Sequence, residues 1–210
     1  FTRRATRNAF SCRNQSFHRA DSIMSVFPSL PDRATLEHLF SAFPAGAQSL
    51  MKLHDDLLRT DGPLTVGQRE LIAAYVSSLN ACEYCFGAHR TMALAFGVDA
   101  DLIDAMIQDF DAAPLDPLMR AVLGYARKVT VRDSVLPSDI RAIIEAGGTE
   151  EMTSQALMVT ALYNFMNRLV DGAGLSAKLS YTAPTNADLE RRRNGTYTGW
   201  GIDAGFIGEG

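Results

Sequence analysis

From Pro31 to Gly174 apolar residues recur at three- and four-residue steps between clear punctuation marks, with no convincing two-residue alternation. This pattern predicts a succession of helices and no sheet. The first two run from Asp32 to Phe43 and from about Pro44 to Thr60, the second stopped by Gly62-Pro63. Thr65-Val-Gly-Gln68 has the form of a capping box, in which hydroxyl and amide side chains satisfy the first free N–H groups of a helix reaching about Leu79. Further helices are predicted from Cys82 to Phe96, ended by Gly97, and from Asp99 to near Phe110. Asp116-Pro117, an N-cap followed by Pro at the first helical position, opens one that reaches about Thr130. A shorter one runs from Ser138 to Ala146. Thr149 opens the last, in which Met152, Ala156, Val159, Tyr163, Met166 and Val170 mark a buried stripe.

The fold class expected is all-α, with one helical domain over residues 24–180. Beyond about Tyr181 the Pro, Asn, Arg and Gly content predicts an extended tail over residues 181–210, able to wrap a neighbouring subunit or stay mobile. Arg191-Arg192-Arg193 reads as a solvated patch on it. Gly172-Ala-Gly174-Leu-Ser-Ala177 matches a relaxed dinucleotide fingerprint, but it follows a helix where that motif needs a strand, so it reads as helix termination.

Composition narrows the picture. The 210 residues are 47% hydrophobic and 21% charged, the profile of a globular protein. The longest apolar run, the six residues Leu71 to Val76, is far short of the ~20 needed to span a bilayer, so no membrane role is expected. The net charge of −4 is uneven. Residues 1–23 carry five arginines against Asp21 alone, leaving the remainder at −8. A body that acidic lacks the footprint of nucleic-acid binding. Residues 1–23 have transit-peptide composition without a secretory apolar region. The reading preferred for them is a basic segment outside the fold, upstream of a natural start at Met24, with Cys12 chemically incidental. An organellar signal is the alternative to the cytoplasmic location otherwise expected.

Three cysteines, two of them in a Cys-x-x-Cys pair, look unlike a secreted disulfide scaffold and fit redox or metal chemistry in a reducing compartment. Glu70, Cys82, Cys85 and His89 fall within twenty residues. On one unbroken helix Glu70 and Cys82 would lie ~18 Å apart, too far to cooperate, so a working site needs a bend. Asn80-Ala81 is the place for it, because Asn tolerates the backbone conformations of helix ends. Folded back there, Glu70 faces His89, and His89 lies one turn from Cys85. The inferred relay runs from Glu70 through His89 to Cys85, directly or by way of a water. A helix start near residue 81 also favours a thiolate among the first cysteines. Such a sulfur can attack a peroxide O–O bond, and the second thiol can close a disulfide that an external dithiol resets.

The pattern Glu-x11-Cys-x-x-Cys-x3-His resembles the carboxymuconolactone decarboxylase-like superfamily, in its alkylhydroperoxidase AhpD-like branch. The flanking Leu64-Thr-Val-Gly-Gln-Arg-Glu70 and Ala161-Leu-Tyr-Asn-Phe-Met-Asn-Arg168 are similar to its peroxidase-related subgroup, and the likeness spans roughly Pro31 to Gly174. It implies an AhpD-like, all-helical homo-oligomer, trimeric or hexameric, that reduces hydroperoxides with thiols. Carried onto this chain, it makes Cys85 the peroxide-reactive thiol, Cys82 the resolving one, and Glu70 and His89 the proton-transfer groups. It implies no bound cofactor and a lipoyl-type dithiol protein as reductant. The chain departs from the better-studied members at Tyr84, where they carry a His; a phenol donates hydrogen bonds but does not readily shuttle protons at neutral pH.

Plainer readings stand beside these. Glu70 alone would be a solvated helix-edge carboxylate, the cysteines inert buried thiols, and His89 a satisfied interior imidazole. Structural zinc would need a fourth ligand at a defined spacing, and neither His38 nor His54 supplies it, so no metal is expected. The competing functions are a carboxymuconolactone decarboxylase-like enzyme, which would not require the cysteine pair, and a redox-sensing helical assembly without turnover.

Overall fold

The computed structural model describes residues 26–177, 181 and 184–208, and every regular element among them is a helix. The segment 1–23, with Cys12, lies outside the described residues, as does Met24. The chain enters through α1 (Leu36–Ala42) and α2 (Ala47–Leu58). The helices α3 (Val66–Leu79) and α4 (Glu83–Ala95) follow as an antiparallel hairpin, then α5 (Ala100–Gln108), α6 (Pro117–Val131), α7 (Pro137–Glu145) and α8 (Glu150–Gly172). These match the predicted elements to within a few residues, and the predicted N-caps Thr65, Asp99, Asp116 and Thr149 all accept a backbone N–H in their own first turn.

Helix α3 forms the centre, packed against α4, α6 and α8, and is buried on nearly all sides from Gly67 to Ser77. All six stripe residues of α8, Met152 to Val170, are buried.

The chain reverses at the predicted Asn80-Ala81, through the backbone of Ala81 rather than that of Asn80. Asn80 stays near helical geometry, and Ala81 takes the left-handed conformation at φ +54°. Ala81 donates its N–H to Ser78 O at 3.0 Å and Cys82 donates to Ser77 O at 3.0 Å, the double closure of a Schellman turn. Asn80 serves the turn with its side chain, donating to Asn164 at 3.2 Å and Asn167 at 2.9 Å on α8, while Asn167 donates to Ser77 at 3.0 Å. The bend is thereby tied to α8.

The tail expected over residues 181–210 is not extended where it is described. It forms α9 (Asn186–Asn194) and α10 (Tyr197–Asp203), which pack on α4 and α2. Local caps start both: Thr185 accepts from Asp188 N and Thr196 from Gly199 N. Burial then holds them, because Tyr197 and Phe206 join the same core as α3 and α8, and a domain boundary after residue 180 does not describe the packing. The arginine patch is also partly engaged, since Arg193 donates to Ala95 O at 2.7 Å and Arg192 lies over the Tyr181 ring at 5.2 Å. No helix among the described residues is long and apolar enough to cross a membrane.

Candidate active site

Because the Schellman turn sends α4 back along α3, Glu70 and His89 meet. His89 Nδ1–H donates to Glu70 Oε2 at 2.6 Å, and Glu70 is 0% exposed rather than solvated at a helix edge. Two groups that the sequence reading missed hold its other oxygen. Arg59, just beyond α2, donates to Oε1 at 2.6 Å, and the Tyr197 hydroxyl on α10 donates to the same atom at 3.1 Å. The Arg59 guanidinium is flanked by the rings of Phe96 and Tyr197, at 5.0 and 4.7 Å from their centroids.

Burial alone would push the Glu70 carboxyl up, by removing water from its charge. The His89 charge and hydrogen bond, followed by those of Arg59, overcome it and bring it down to about 2. Glu70 is therefore an ionised acceptor at the centre of a compensated cluster. Burial works against the Arg59 charge as well, but the Glu70 carboxylate, by its charge and its hydrogen bond, raises its pKa. Tyr197 is pushed up by burial and then by the Glu70 carboxylate, so its hydroxyl keeps the proton it donates.

Cys82 caps α4 and Cys85 sits in its first turn, as the spacing predicts. Both thiols are free and buried. They are not equivalent. The neighbouring Cys85 sulfur, then burial, push the Cys82 thiol up. Only Cys85 lines the neighbouring cavity of about 610 Å³, together with His89. No direct hydrogen bond joins His89 to Cys85 among the described residues. With Nδ1 committed to Glu70, His89 keeps Nε2 for any water-borne step.

Tyr84 also lines the cavity. Its hydroxyl accepts the Leu36 N–H at 3.3 Å and its ring meets Tyr181 edge-on at 5.8 Å, so it braces α1 against α4. Gly87 permits that arrangement, because a Cβ there would sit 2.9 Å from the Tyr181 Cβ. Tyr163 on α8 places its ring 4.2 Å from that of His89, and its buried hydroxyl makes no hydrogen bond of good geometry beside Tyr197.

His54 is the second imidazole of the cavity wall and was missed as a site residue. Its Nδ1–H donates to Leu50 O at 2.7 Å, which leaves Nε2 as a lone-pair acceptor. Burial, chiefly, brings its pKa down to about 4 against the pull of the Leu50 carbonyl, so it is neutral at pH 7. No group of three or more His, Cys, Asp or Glu side chains among the described residues is placed to hold a metal ion.

The structure is thus an all-helical domain with a buried carboxylate–imidazole pair close in the chain to a pair of free thiols. Residues 44–128 match the carboxymuconolactone decarboxylase family. A peroxidase-related protein of Silicibacter sp. TM1040 is 23% identical, with a TM-score of 0.66 over 70% of this chain and 78% of its own. A second peroxidase-related protein, from Ralstonia eutropha JMP134 and with an alkylhydroperoxidase AhpD core, is 28% identical, with a TM-score of 0.64 over 69% and 76%. The debrominase Bmp8, solved with 2,3,4-tribromopyrrole, is 15% identical, with a TM-score of 0.61 over 74% and 81%. No curated protein matches the chain. Over residues 44–128 the chain is similar to the carboxymuconolactone decarboxylase family, and it has the AhpD-like fold of these solved structures.

Proposed function

We propose that this protein is a thiol-dependent peroxidase that reduces hydroperoxides through Cys85 and Cys82. The observation that carries the reading is the asymmetry of the pair. Cys85 lines a cavity with His89, and Cys82 does not. In the first step the Cys85 thiolate attacks the terminal peroxide oxygen. The O–O bond breaks, Cys85 becomes a sulfenic acid, and the departing alkoxide takes a proton to leave as an alcohol. The Glu70–His89 pair, anchored by Arg59, supplies a proton path from the interior side, through His89 Nε2 and a water. In the second step Cys82 attacks the sulfenic sulfur, the disulfide forms and water leaves. A dithiol of the lipoyl type then returns two electrons and two protons. Exposed Leu157, Met158 and Phe165 on α8 support self-association of the domain.

Stoichiometric cumene hydroperoxide should lower the intact mass by about 2 Da, the two hydrogens lost on forming one disulfide. Turnover with dihydrolipoate should be lost in Cys85→Ser. Sustained turnover in that variant would overturn the assignment, and a pair that oxidises once but is reset by no dithiol would identify a sensor instead.

A further inference from the structure

The cavity is much larger than a peroxide group. At about 610 Å³ it falls in the range of sites that enclose drug-sized ligands, whereas hydrogen peroxide would occupy little more than the roughly 30 Å³ of a water. Its lining includes the aromatic and apolar side chains of Tyr84, Tyr163, Tyr197, Trp200, Met51 and Met166 together with Cys85. The Glu70 charge is already met by Arg59 and His89. An apolar body therefore suits the interior, and a second anion there would have no free cation to meet.

The α9 side of the same cavity differs. Arg192 lines it with its guanidinium over the Tyr181 ring at 5.2 Å, and its buried Nε–H has no hydrogen-bond partner. The other charged side chains of the lining on this side are committed or open to water. Arg191 is paired with Asp188, Glu37 accepts the Trp200 indole N–H at 2.9 Å, and Asp203 is exposed and so screened by solvent. A guanidinium presenting a buried unpartnered N–H next to an aromatic face is built to take a planar carboxylate.

We propose that the substrate is an organic hydroperoxide with an apolar body and a carboxylate, its peroxide end at Cys85 and its carboxylate at Arg192. Arg192 is then the specificity-determining residue. The inference rests on the peroxidase reading for the reacting end, while the carboxylate subsite can be tested without it. The redox balance is that of the two steps above, with the hydroperoxy acid leaving as a hydroxy acid.

The probes are the para-carboxylate of cumene hydroperoxide and its methyl ester, with hydrogen peroxide for comparison. Trp200, the single tryptophan of the chain and part of the cavity wall, reports occupancy by its fluorescence. With the full-length chain the acid should oxidise the cysteine pair at about tenfold lower half-saturating concentration than the ester, the ratio expected for one charge-assisted hydrogen bond. In Arg192→Met that ratio should fall toward one, and in Arg192→Lys it should be partly kept. A parallel titration of Cys85→Ser with the corresponding unreactive alcohols should show the same preference for the acid in Trp200 quenching. Equal behaviour of acid and ester in both titrations would overturn the proposal, as would hydrogen peroxide reacting as readily as the acid. Acid-selective binding without thiol oxidation by any hydroperoxide would leave the carboxylate subsite standing and remove the peroxidase reading.

Discussion

The α3–α4 hairpin and the C-terminal pair α9–α10 both supply groups to the same carboxylate, but they arrive in different ways. In the hairpin, Glu70 and His89 are nineteen positions apart and are brought face to face by one turn, so their meeting follows from helix geometry once the bend is placed. Tyr197 comes from 127 positions away and reaches Glu70 only because α10 docks on α2. Asp55 holds that docking by accepting the N–H groups of Tyr197 at 2.6 Å and Thr198 at 2.9 Å. A local device can be built from spacing alone, whereas the distant one depends on the whole core being formed. The difference separates a carboxylate–imidazole pair built locally by the hairpin from the C-terminal helices that cover it and line the neighbouring cavity.

The largest test removes what both regions share. Glu70→Gln takes the charge from between Arg59 and His89 and leaves a buried guanidinium uncompensated, a change that costs about 3–5 kcal/mol. Urea unfolding at pH 7 should show that loss, and a loss under about 1 kcal/mol would mean that the cluster does not hold the two regions together.

A slightly smaller effect is expected at His54, whose ring lies 4.9 Å from that of Tyr197 at the junction of the regions. A native pKa brought from 6.5 to about 4 means that the unfolded chain binds a proton in this window and the native state does not. Its contribution is complete above pH 6.5 and is lost as pH falls toward 4, a span of about 3 kcal/mol. Glu70 adds its own loss at lower pH, between the ordinary carboxyl range and about 2. Stability measured from pH 7 to pH 4 should therefore decline in the wild type and be nearly flat over that range in His54→Gln. Parallel curves would show that His54 is not held neutral.

Tyr197→Phe separates the regions. It removes one hydrogen bond to a charged group, worth about 2 kcal/mol, while keeping the ring against Arg59. Amide hydrogen exchange should rise over residues 184–208 and stay low in α3 and α4. Equal loosening of both would make the two regions one cooperative unit.

The smallest change acts inside the hairpin. Ala81 is held at φ +54°, where a Cβ is unfavourable, so Ala81→Gly should stabilise the protein by about 0.5–1 kcal/mol in thermal unfolding. A destabilised variant would indicate that the methyl group packs in a way that outweighs the backbone cost.

Each part of the molecule was legible in proportion to how local its causes are. Thr65, Asp99, Asp116 and Thr149 declared their helices because a cap acts within one turn. The same signal was present at Thr185-Asn-Ala-Asp188, but a helix of such polar composition has no apolar stripe to confirm it, and the segment read as an extended tail. The bend falls at the expected Asn80-Ala81, but Ala81 and not Asn80 takes the left-handed conformation. Asn80 works through side-chain bonds to Asn164 and Asn167, partners that no local pattern reveals.

Sequence alone determined the helical periods, the turn between two of them, and hence the approach of Glu70 to His89 and the placing of two thiols at a helix start. These follow from backbone repeat and spacing, which act over a few residues at a time. Tertiary structure decided that Glu70 is fully buried and ionised, that Arg59 and Tyr197 hold it, that His54 is neutral, and that Cys85 rather than Cys82 meets the cavity. Those outcomes depend on desolvation and on charges meeting through space, and both exist only after distant segments have packed.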